Sequence, residues 1–179
     1  MTAVAVRYLV AEGKLDLRGP FSQGWPGDPQ EDISLADLLT HGSGLEREPV
    51  GSVWETLRFP ARDQLAATAN EAKRLYPRDS WFHYSNLGFA LLGELVAQIR
   101  GTSWGSYGED RVLLPLGMRR ATPLPGQSAA QGYSVTPYTD EVVAEPLVDC
   151  LGLGVQLRNC GAAQRTSAGG PGRTIGWPT

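Results

Sequence analysis

Apolar residues recur at helical spacing between Asn86 and Arg100, and this stretch carries the clearest pattern in the chain. The spacing predicts one helix with a buried stripe on one side and polar residues on the other. The predicted stripe consists of Leu92, Leu95, Val96 and Ile99, and the residues predicted to face water are Glu94, Gln98 and Arg100. Gly101 is predicted to end the helix, because glycine readily adopts the left-handed conformation found after many helices.

Weaker patterns predict several further elements. The predicted elements are a helix over 2–12 closed by Gly13, a short helix over 34–39, a helix over 62–75 stopped by Pro77, a helix that Ser103 caps and that runs to about 114, and a strand or extended loop within 133–149. Ser34 and Asp37 have the spacing of a capping box, in which each side chain bonds the backbone N–H of the other residue. Together with the helix over 86–100, these are five helices before one short extended region, which predicts a mostly helical segment.

The helical patterns all lie in the first part of the chain. Residues 1–150 are therefore predicted to be one domain, or part of one. After Cys150 the periodicity is lost, and residues 158–179 contain five glycines and two prolines. We expect residues 151–179 to be an irregular tail, and a frameshift between Cys150 and Cys160 is compatible with that loss of pattern.

Composition narrows the classes of partner. The formal net charge of −3 provides no basic surface for nucleic acid. No apolar run approaches the roughly 18 residues that a membrane-spanning helix needs. His41 and His83 are far apart in sequence, and the two cysteines lack the spacing of a metal site. We therefore expect no metal, no cofactor, no nucleic acid and no membrane span.

Four segments, in order, resemble the serine β-lactamase-related and penicillin-binding-protein family, which includes class C β-lactamases, D-Ala-D-Ala peptidases and esterases. They are residues 9–17 (LVAEGKLDL), 33–45 (ISLADLLTHGSGL), 82–93 (FHYSNLGFALLG) and 112–118 (VLLPLGM). The resemblance implies an α/β (α+β) serine β-lactamase/transpeptidase-like fold, a sheet beside a helical subdomain. Mostly the helical subdomain is then present here, and the flanking sheet strands are largely missing.

The same resemblance suggests roles for residues within the third segment. Tyr84-Ser-Asn86 matches the family's Y-x-N element. Tyr84 is then a catalytic residue that exchanges a proton with the nucleophile or the leaving group. Asn86 is a substrate-binding residue that bonds the substrate's amide side chain or the family's lysine. A structural role at the turn 42–44 is expected for His41, and turn or cap roles are expected for Ser43 and Ser85.

The family's nucleophile motif is absent from these residues. Its serine belongs to an S-x-x-K element, but the residues three before Lys14 and Lys73 are Ala11 and Asn70. No K-T-G or H-x-G element is present either. The family pattern places the serine shortly before Met1, so we expect an inactive fragment of a hydrolase that forms an acyl-serine, with Met1 internal to a longer protein.

Several alternatives remain open from sequence alone. The substrate of the intact family member is a small-molecule amide or ester, and a β-lactam, a D-Ala-D-Ala peptide and an ester all fit. The chain could instead be a non-catalytic helical binding module that retains the family scaffold, or the product of a pseudogene. Its cellular location is not determined. If the sheet is missing, we expect a large apolar patch to be exposed.

Overall fold

The computed structural model describes residues 1–24, 33–49, 51, 60–61, 64–119, 121, 131–136 and 138–144. The helices in this part are α1 (Thr2–Ala11), α2 (Leu35–Thr40), α3 (Leu65–Glu71), α4 (Asn86–Arg100) and α5 (Trp104–Gly108). A short 3-10 helix covers Phe21–Gly24, and a π-helical turn covers Glu109–Leu113 directly after α5. Two strands, β1 (Tyr133–Val135) and β2 (Val142–Ala144), complete the described elements.

The longest helix, α4, lies at the centre of the core. Its fully buried residues are Leu87, Ala90, Leu91, Leu92, Leu95 and Val96. Ser85 caps its start by accepting a hydrogen bond from the Gly88 N–H, and Gly101 ends it with φ of 64°. The predicted bounds of this helix are confirmed.

The predicted water-facing side of α4 is wrong for Glu94. That residue is only 8% exposed. The physical reason is that α1, α2, α3 and α5 all contact α4, so the helix has no broad side turned to solvent. A hydrophobic stripe predicts one buried side of a helix, but it does not predict how many other elements pack around that helix.

The N-terminal helix α1 packs on α4 with one side. Ala5, Val6 and Leu9 are fully buried, while Val4 on the same helix is 44% exposed. Gly13 follows with φ of 69°, in agreement with the predicted end of the helix. The Arg100 guanidinium at the end of α4 bonds the Glu12 carboxylate, which joins the ends of the two helices.

The short helix α2 begins with the predicted capping box. The Asp37 N–H donates to Ser34 Oγ at 3.2 Å, and the Ser34 N–H donates to Asp37 Oδ2 at 2.8 Å. The same Asp37 oxygen also pairs with Arg78 Nε at 3.0 Å. Helix α2 ends at Thr40, and the cap residue His41 follows with a φ of 59°, which turns the chain away from the helix axis.

The helix predicted over 62–75 is shorter at its C-terminal end, and residues 62–63 lie outside the described part. Helix α3 ends at Glu71, and residues 73–75 run beside residues 44–46 instead. The Glu46 N–H donates to the Lys73 carbonyl at 2.9 Å, and the Leu75 N–H donates to the Gly44 carbonyl at 2.8 Å. Bonds to a distant segment replace the last turn of the predicted helix.

The last described elements agree with the extended region predicted over 133–149. Strands β1 and β2 form an antiparallel pair with Ser134 opposite Val143, and all six strand residues are exposed. The helix predicted from Ser103 to about 114 is present as α5 and the π-helical turn. Residues 145–149 and the predicted tail 151–179 lie outside the described residues.

Candidate functional site

The segment that carries the Y-x-N element is fixed against the end of α2. The His83 N–H donates to the His41 carbonyl oxygen at 2.9 Å. The Ser85 N–H donates to His41 Nδ1 at 3.2 Å. Because these two bonds flank Tyr84, they set the direction in which its ring leaves the backbone.

His41 lies among three aromatic side chains. Its ring centroid is 4.6 Å from that of Tyr84, 4.9 Å from that of Phe89 and 5.4 Å from that of Phe82. Burial lowers the pKa of His41 below its ordinary value, since it removes the water that would stabilise the charged form. Nδ1 accepts a hydrogen bond from Ser85, so the neutral ring carries its proton on Nε2.

The structural role expected for His41 is present, but its partner differs from the expected one. The turn at 42–44 is bonded by backbone groups, with the Gly42 N–H donating to the Asp37 carbonyl at 2.8 Å and the Asp79 N–H donating to the Gly42 carbonyl at 2.9 Å. The imidazole instead accepts a hydrogen bond from the backbone N–H of Ser85, which lies 44 positions further along the chain. His41 therefore connects the two motifs that the sequence presents separately.

Tyr84 is partly open to solvent. Tyr84 is 48% exposed, and the nearby Trp81 and Phe82 are 70% and 72% exposed. The guanidinium carbon of Arg47 lies 5.6 Å from the centroid of the Tyr84 ring. The phenol is thus fixed on its His41 side and remains within reach of a ligand.

Asn86, the first residue of α4, is held by the segment that follows the Gly42–Gly44 turn. The Arg47 carbonyl accepts the N–H groups of Asn86 and Leu87 at 2.8 and 3.1 Å. The Asn86 side chain donates from Nδ2 to Glu48 Oε1 at 2.6 Å. Asn86 is only 4% exposed, so its amide has little access to water.

The Glu48 carboxylate is arranged asymmetrically. Its Oε1 receives the Asn86 amide and also lies 3.4 Å from Arg47 Nε. Its Oε2 is buried and has no hydrogen-bond partner among the residues that the structure describes. A buried carboxylate oxygen without a partner reduces stability.

Sequence reasoning missed residues 46–48. Each of them contacts the Y-x-N segment, Glu46 through its carbonyl, Arg47 through its carbonyl and guanidinium, and Glu48 through its carboxylate. The available signal is weak: two glutamates flank an arginine immediately after the L-L-T-H-G-S-G-L motif, outside any helix. No spacing rule connects such residues to a motif 38 positions later.

The two serines beside the motifs have the structural roles expected of them. Ser85 Oγ accepts the Gly88 N–H at 3.0 Å and donates to the Glu46 carbonyl at 2.8 Å. Ser43 is 1% exposed, and its Oγ accepts the Leu45 N–H at 3.4 Å. Both hydroxyls are bonded to backbone groups.

Other kinds of site receive no support from the described part of the chain. Within those residues, no group of three or more His, Cys, Asp or Glu side chains could bind a metal ion. No described helix is both long enough and apolar enough to cross a bilayer.

The motifs, the helical core and the Tyr84–Asn86 segment together define one family. The Beta-lactamase family model matches residues 1–170, and the chain belongs to that family. Its fold is accordingly of the β-lactamase/transpeptidase type, present in part, with mostly helices and two short strands among the described residues.

Individual relatives agree with this assignment. The chain is 32% identical over 136 residues to the D-alanyl-D-alanine-carboxypeptidase/endopeptidase AmpH of Escherichia coli K12, covering 70% of this chain and 34% of that protein. It is 26% identical over 155 residues to penicillin-binding protein 4* of Bacillus subtilis 168, covering 79% and 34%. The chain thus spans about a third of the length of these relatives.

A solved structure shows the same fold. The penicillin-binding protein of Bacillus halodurans superposes with a TM-score of 0.64 at 26% sequence identity, over 86% of this chain and 50% of that protein. The likeness extends over most of the residues described above and half of the known structure.

Proposed function

We propose that this chain carries the Tyr-x-Asn part of a serine hydrolase site that cleaves a small-molecule amide or ester through an acyl-serine intermediate. The observation that carries the proposal is the fixed Tyr84–Asn86 pair. His41 and residues 46–48 hold both residues from two sides, while the Tyr84 ring stays 48% exposed. Membership of the Beta-lactamase family supports the reaction class.

In this proposal Tyr84 moves a proton. A phenol next to the nucleophile exchanges a proton with the attacking serine or with the leaving group, as general acid–base catalysis requires. The contacts with His41 restrict the Tyr84 ring, so its oxygen keeps one direction during the reaction. Asn86 binds the acyl-side amide of the substrate or the lysine of the nucleophile element.

The names of the relatives indicate which substrate classes to test first. One of them is named a D-alanyl-D-alanine carboxypeptidase/endopeptidase, and two others are named penicillin-binding proteins. We therefore propose a peptide ending in D-alanine or a β-lactam as the first compounds to test, with a simple ester as a third.

We further propose that the 179 residues do not acylate by themselves. Nucleophilic catalysis requires a serine activated by an adjacent base. Neither lysine has a serine three positions before it, and the hydroxyls of Ser43 and Ser85 are bonded to backbone groups.

The test uses a fluorescent penicillin and p-nitrophenyl acetate. The purified 179-residue chain is expected to show no covalent label by gel or mass spectrometry, and no ester hydrolysis above its Ser43→Ala and Ser85→Ala variants. In the protein that the surrounding gene encodes, if a Ser-x-x-Lys element precedes residue 1, Tyr84→Phe should lower kcat by roughly 10²- to 10⁴-fold.

Tyr138→Phe serves as the control in that second arm, because Tyr138 is a fully exposed tyrosine in the turn between β1 and β2. Covalent label on the 179-residue chain would overturn the statement that it lacks a nucleophile. Equal kcat in the Tyr84→Phe and Tyr138→Phe variants would overturn the role of Tyr84.

A further inference from the structure

Arg78 connects the start of α2 to the turn that precedes Tyr84. Its Nε lies 3.0 Å from Asp37 Oδ2 and 3.5 Å from Asp79 Oδ2. The Asp37 side chain is only 6% exposed, whereas that of Arg78 is 44% exposed. A pair with one buried charge is sensitive to loss of the other partner, because the buried charge is then left uncompensated. The buried Asp37 carboxylate therefore depends on Arg78.

Backbone hydrogen bonds and this ion pair form a closed ring. The Gly42 N–H donates to the Asp37 carbonyl at 2.8 Å, and the Asp79 N–H donates to the Gly42 carbonyl at 2.9 Å. Asp79 follows Arg78 in the chain, and the Arg78 guanidinium returns to Asp37. Because the ring is closed at Arg78, loss of that contact lets the turn at 77–80 pivot on the two backbone bonds of Gly42.

The turn at 77–80 contains a backbone conformation that needs support. Asp79 has a φ of 57°, in the left-handed region that residues other than glycine adopt infrequently. Such a conformation persists where the surrounding structure fixes it. A methyl group at Gly42 would lie 3.2 Å from Asp79 Oδ1, so the two turns are closely packed. The ion pair and this packing together hold Asp79 in place.

The segment that the ring fixes leads directly to Tyr84. Its second attachment is at His83, whose N–H donates to the His41 carbonyl at 2.9 Å. Residues 79–83 are thus bonded to residues 41–42 at both ends, and the residues between, 80–82, are exposed. Tyr84 follows the second attachment, and its ring centroid lies 4.6 Å from that of His41. A shift at Asp79 therefore changes the direction in which the chain enters Tyr84.

We propose that Arg78 is a positioning residue for Tyr84. Through the bond from its Nε to Asp37, it holds residues 79–85 against His41, so that the Tyr84 ring keeps its contact with the imidazole before a substrate binds. The catalytic consequence rests on the proposed function, whereas the placement of the ring does not. Arg78 lies six positions before Tyr84 and outside all four segments that resemble the family.

Two substitutions separate the Nε hydrogen bond from the rest of the Arg78 side chain. Arg78→Met keeps an unbranched stem and has no donor. Arg78→Gln has an amide nitrogen the same number of bonds from Cα as Nε, and this nitrogen can still donate to Asp37. Arg111→Met is the matched control, because Arg111 also pairs with a carboxylate, that of Glu12 at 3.5 Å, and its side chain is 55% exposed.

Placement is measured by NMR on the 179-residue chain, as the nuclear Overhauser effect (NOE) between the ring protons of His41 and Tyr84. Arg78→Met should lose most of this NOE, with the contact between Arg100 and the Tyr107 ring as the internal reference. Arg78→Gln should retain most of it, and Arg111→Met should not change it. An unchanged NOE in Arg78→Met, or an equal loss in Arg78→Met and Arg78→Gln, would overturn the proposal.

A double variant covers the case in which Arg78→Met does not fold. Combining Arg78→Met with Asp37→Asn removes both charges, so no buried carboxylate is left unpaired. The new amide oxygen can still accept the Ser34 N–H, which keeps that half of the capping box. The double variant should therefore fold and show the same loss of the NOE between His41 and Tyr84. A folded double variant with the NOE of the parent chain contradicts the proposal.

The catalytic consequence is tested in the protein that the surrounding gene encodes, with p-nitrophenyl acetate as the probe. Arg78→Met should lower kcat by roughly 10- to 10²-fold, because a small displacement of a reacting group reduces the rate to that extent. KM should change less, since Arg78 acts through Tyr84, and Arg78→Gln should recover most of the loss in kcat.

The two proposals fail separately. If Tyr84→Phe has no effect on kcat, the proposed function is wrong, and the NOE still decides whether Arg78 places the ring. If Tyr84→Phe lowers kcat and Arg78→Met does not, the catalytic role of Tyr84 stands and Arg78 is not its positioning residue.

Discussion

His41 combines a strained backbone with an unusual ring environment. Its φ of 59° closes α2, and its imidazole accepts a hydrogen bond from Ser85 while stacking on Phe89. Both the acceptor role of Nδ1 and the burial of the ring favour the neutral form. Protonation at this one side chain therefore acts against the contact that places Tyr84.

The stability of the chain is predicted to depend on pH through His41. Burial lowers the pKa of His41 in the folded state from 6.5, so the unfolded chain takes up a proton first as the pH falls. The contribution of the neutral His41 ring to the free energy of unfolding is fully present above pH 6.5. It is lost as the pH falls from 6.5 through the lower pKa that His41 has in the folded state. Urea unfolding measured at a series of pH values tests this.

His41→Asn is the matched variant, because asparagine tolerates the left-handed conformation and does not titrate. The variant keeps His83, so the difference between the two pH profiles isolates His41. Its free energy of unfolding should vary less with pH below 6.5 than that of the parent chain. Parallel profiles would show that the His41 environment does not favour the neutral ring.

At the scale of elements, the start of α4 has more partners than a helix start needs. Ser85 Oγ caps the helix through the Gly88 N–H and also donates to the Glu46 carbonyl. Ser103 caps α5 in the same manner through the Ser106 N–H, but its other partner is the exposed Ser106 hydroxyl. The two serines share a capping role and differ in their link to a distant segment.

Replacing each serine by alanine separates the two roles. Ser103→Ala should lower the free energy of unfolding by about 1 kcal/mol, the typical value of a cap. Ser85→Ala should lower it by about 2 kcal/mol, because the buried link to Glu46 is lost in addition. Urea denaturation of both variants provides the comparison, and equal losses would mean that the Glu46 link adds nothing.

At the scale of the whole molecule, two distant parts of the chain approach each other at Gly44. Its φ is 73°, and a methyl group at this position would overlap the Tyr76 carbonyl oxygen. That approach allows the Leu75 N–H to reach the Gly44 carbonyl and places residues 46–48 beside α4. The position of the proposed site therefore depends on one glycine outside it.

Two alanine substitutions measure this approach. Gly13 has a similar φ of 69° with open space where a Cβ atom would lie. Gly13→Ala should cost about 1 kcal/mol for the left-handed backbone alone. Gly44→Ala should cost roughly 1–3 kcal/mol more, since the Tyr76 backbone must move. Similar urea midpoints for the two variants would contradict the close approach.

Local signals in the sequence were sufficient for α4, for the start of α2 and for the family. The period of apolar residues and Gly101 predicted α4 at its observed bounds, because these signals act within a few turns of one helix. The capping box at Ser34 and Asp37 was predicted for the same reason. The motifs around His41 and Tyr84 pointed to the Beta-lactamase family, which the family model confirms.

Tertiary structure decided the features that depend on distant contacts. The burial of Glu94, the early end of α3 and the bond from Glu48 to Asn86 each arise from segments that are far apart in sequence. Periodicity describes one element at a time and contains no information about which elements surround it. The sequence by itself thus determined α4, the capping box of α2 and the family. Packing determined which side chains hold Tyr84 and Asn86 in place.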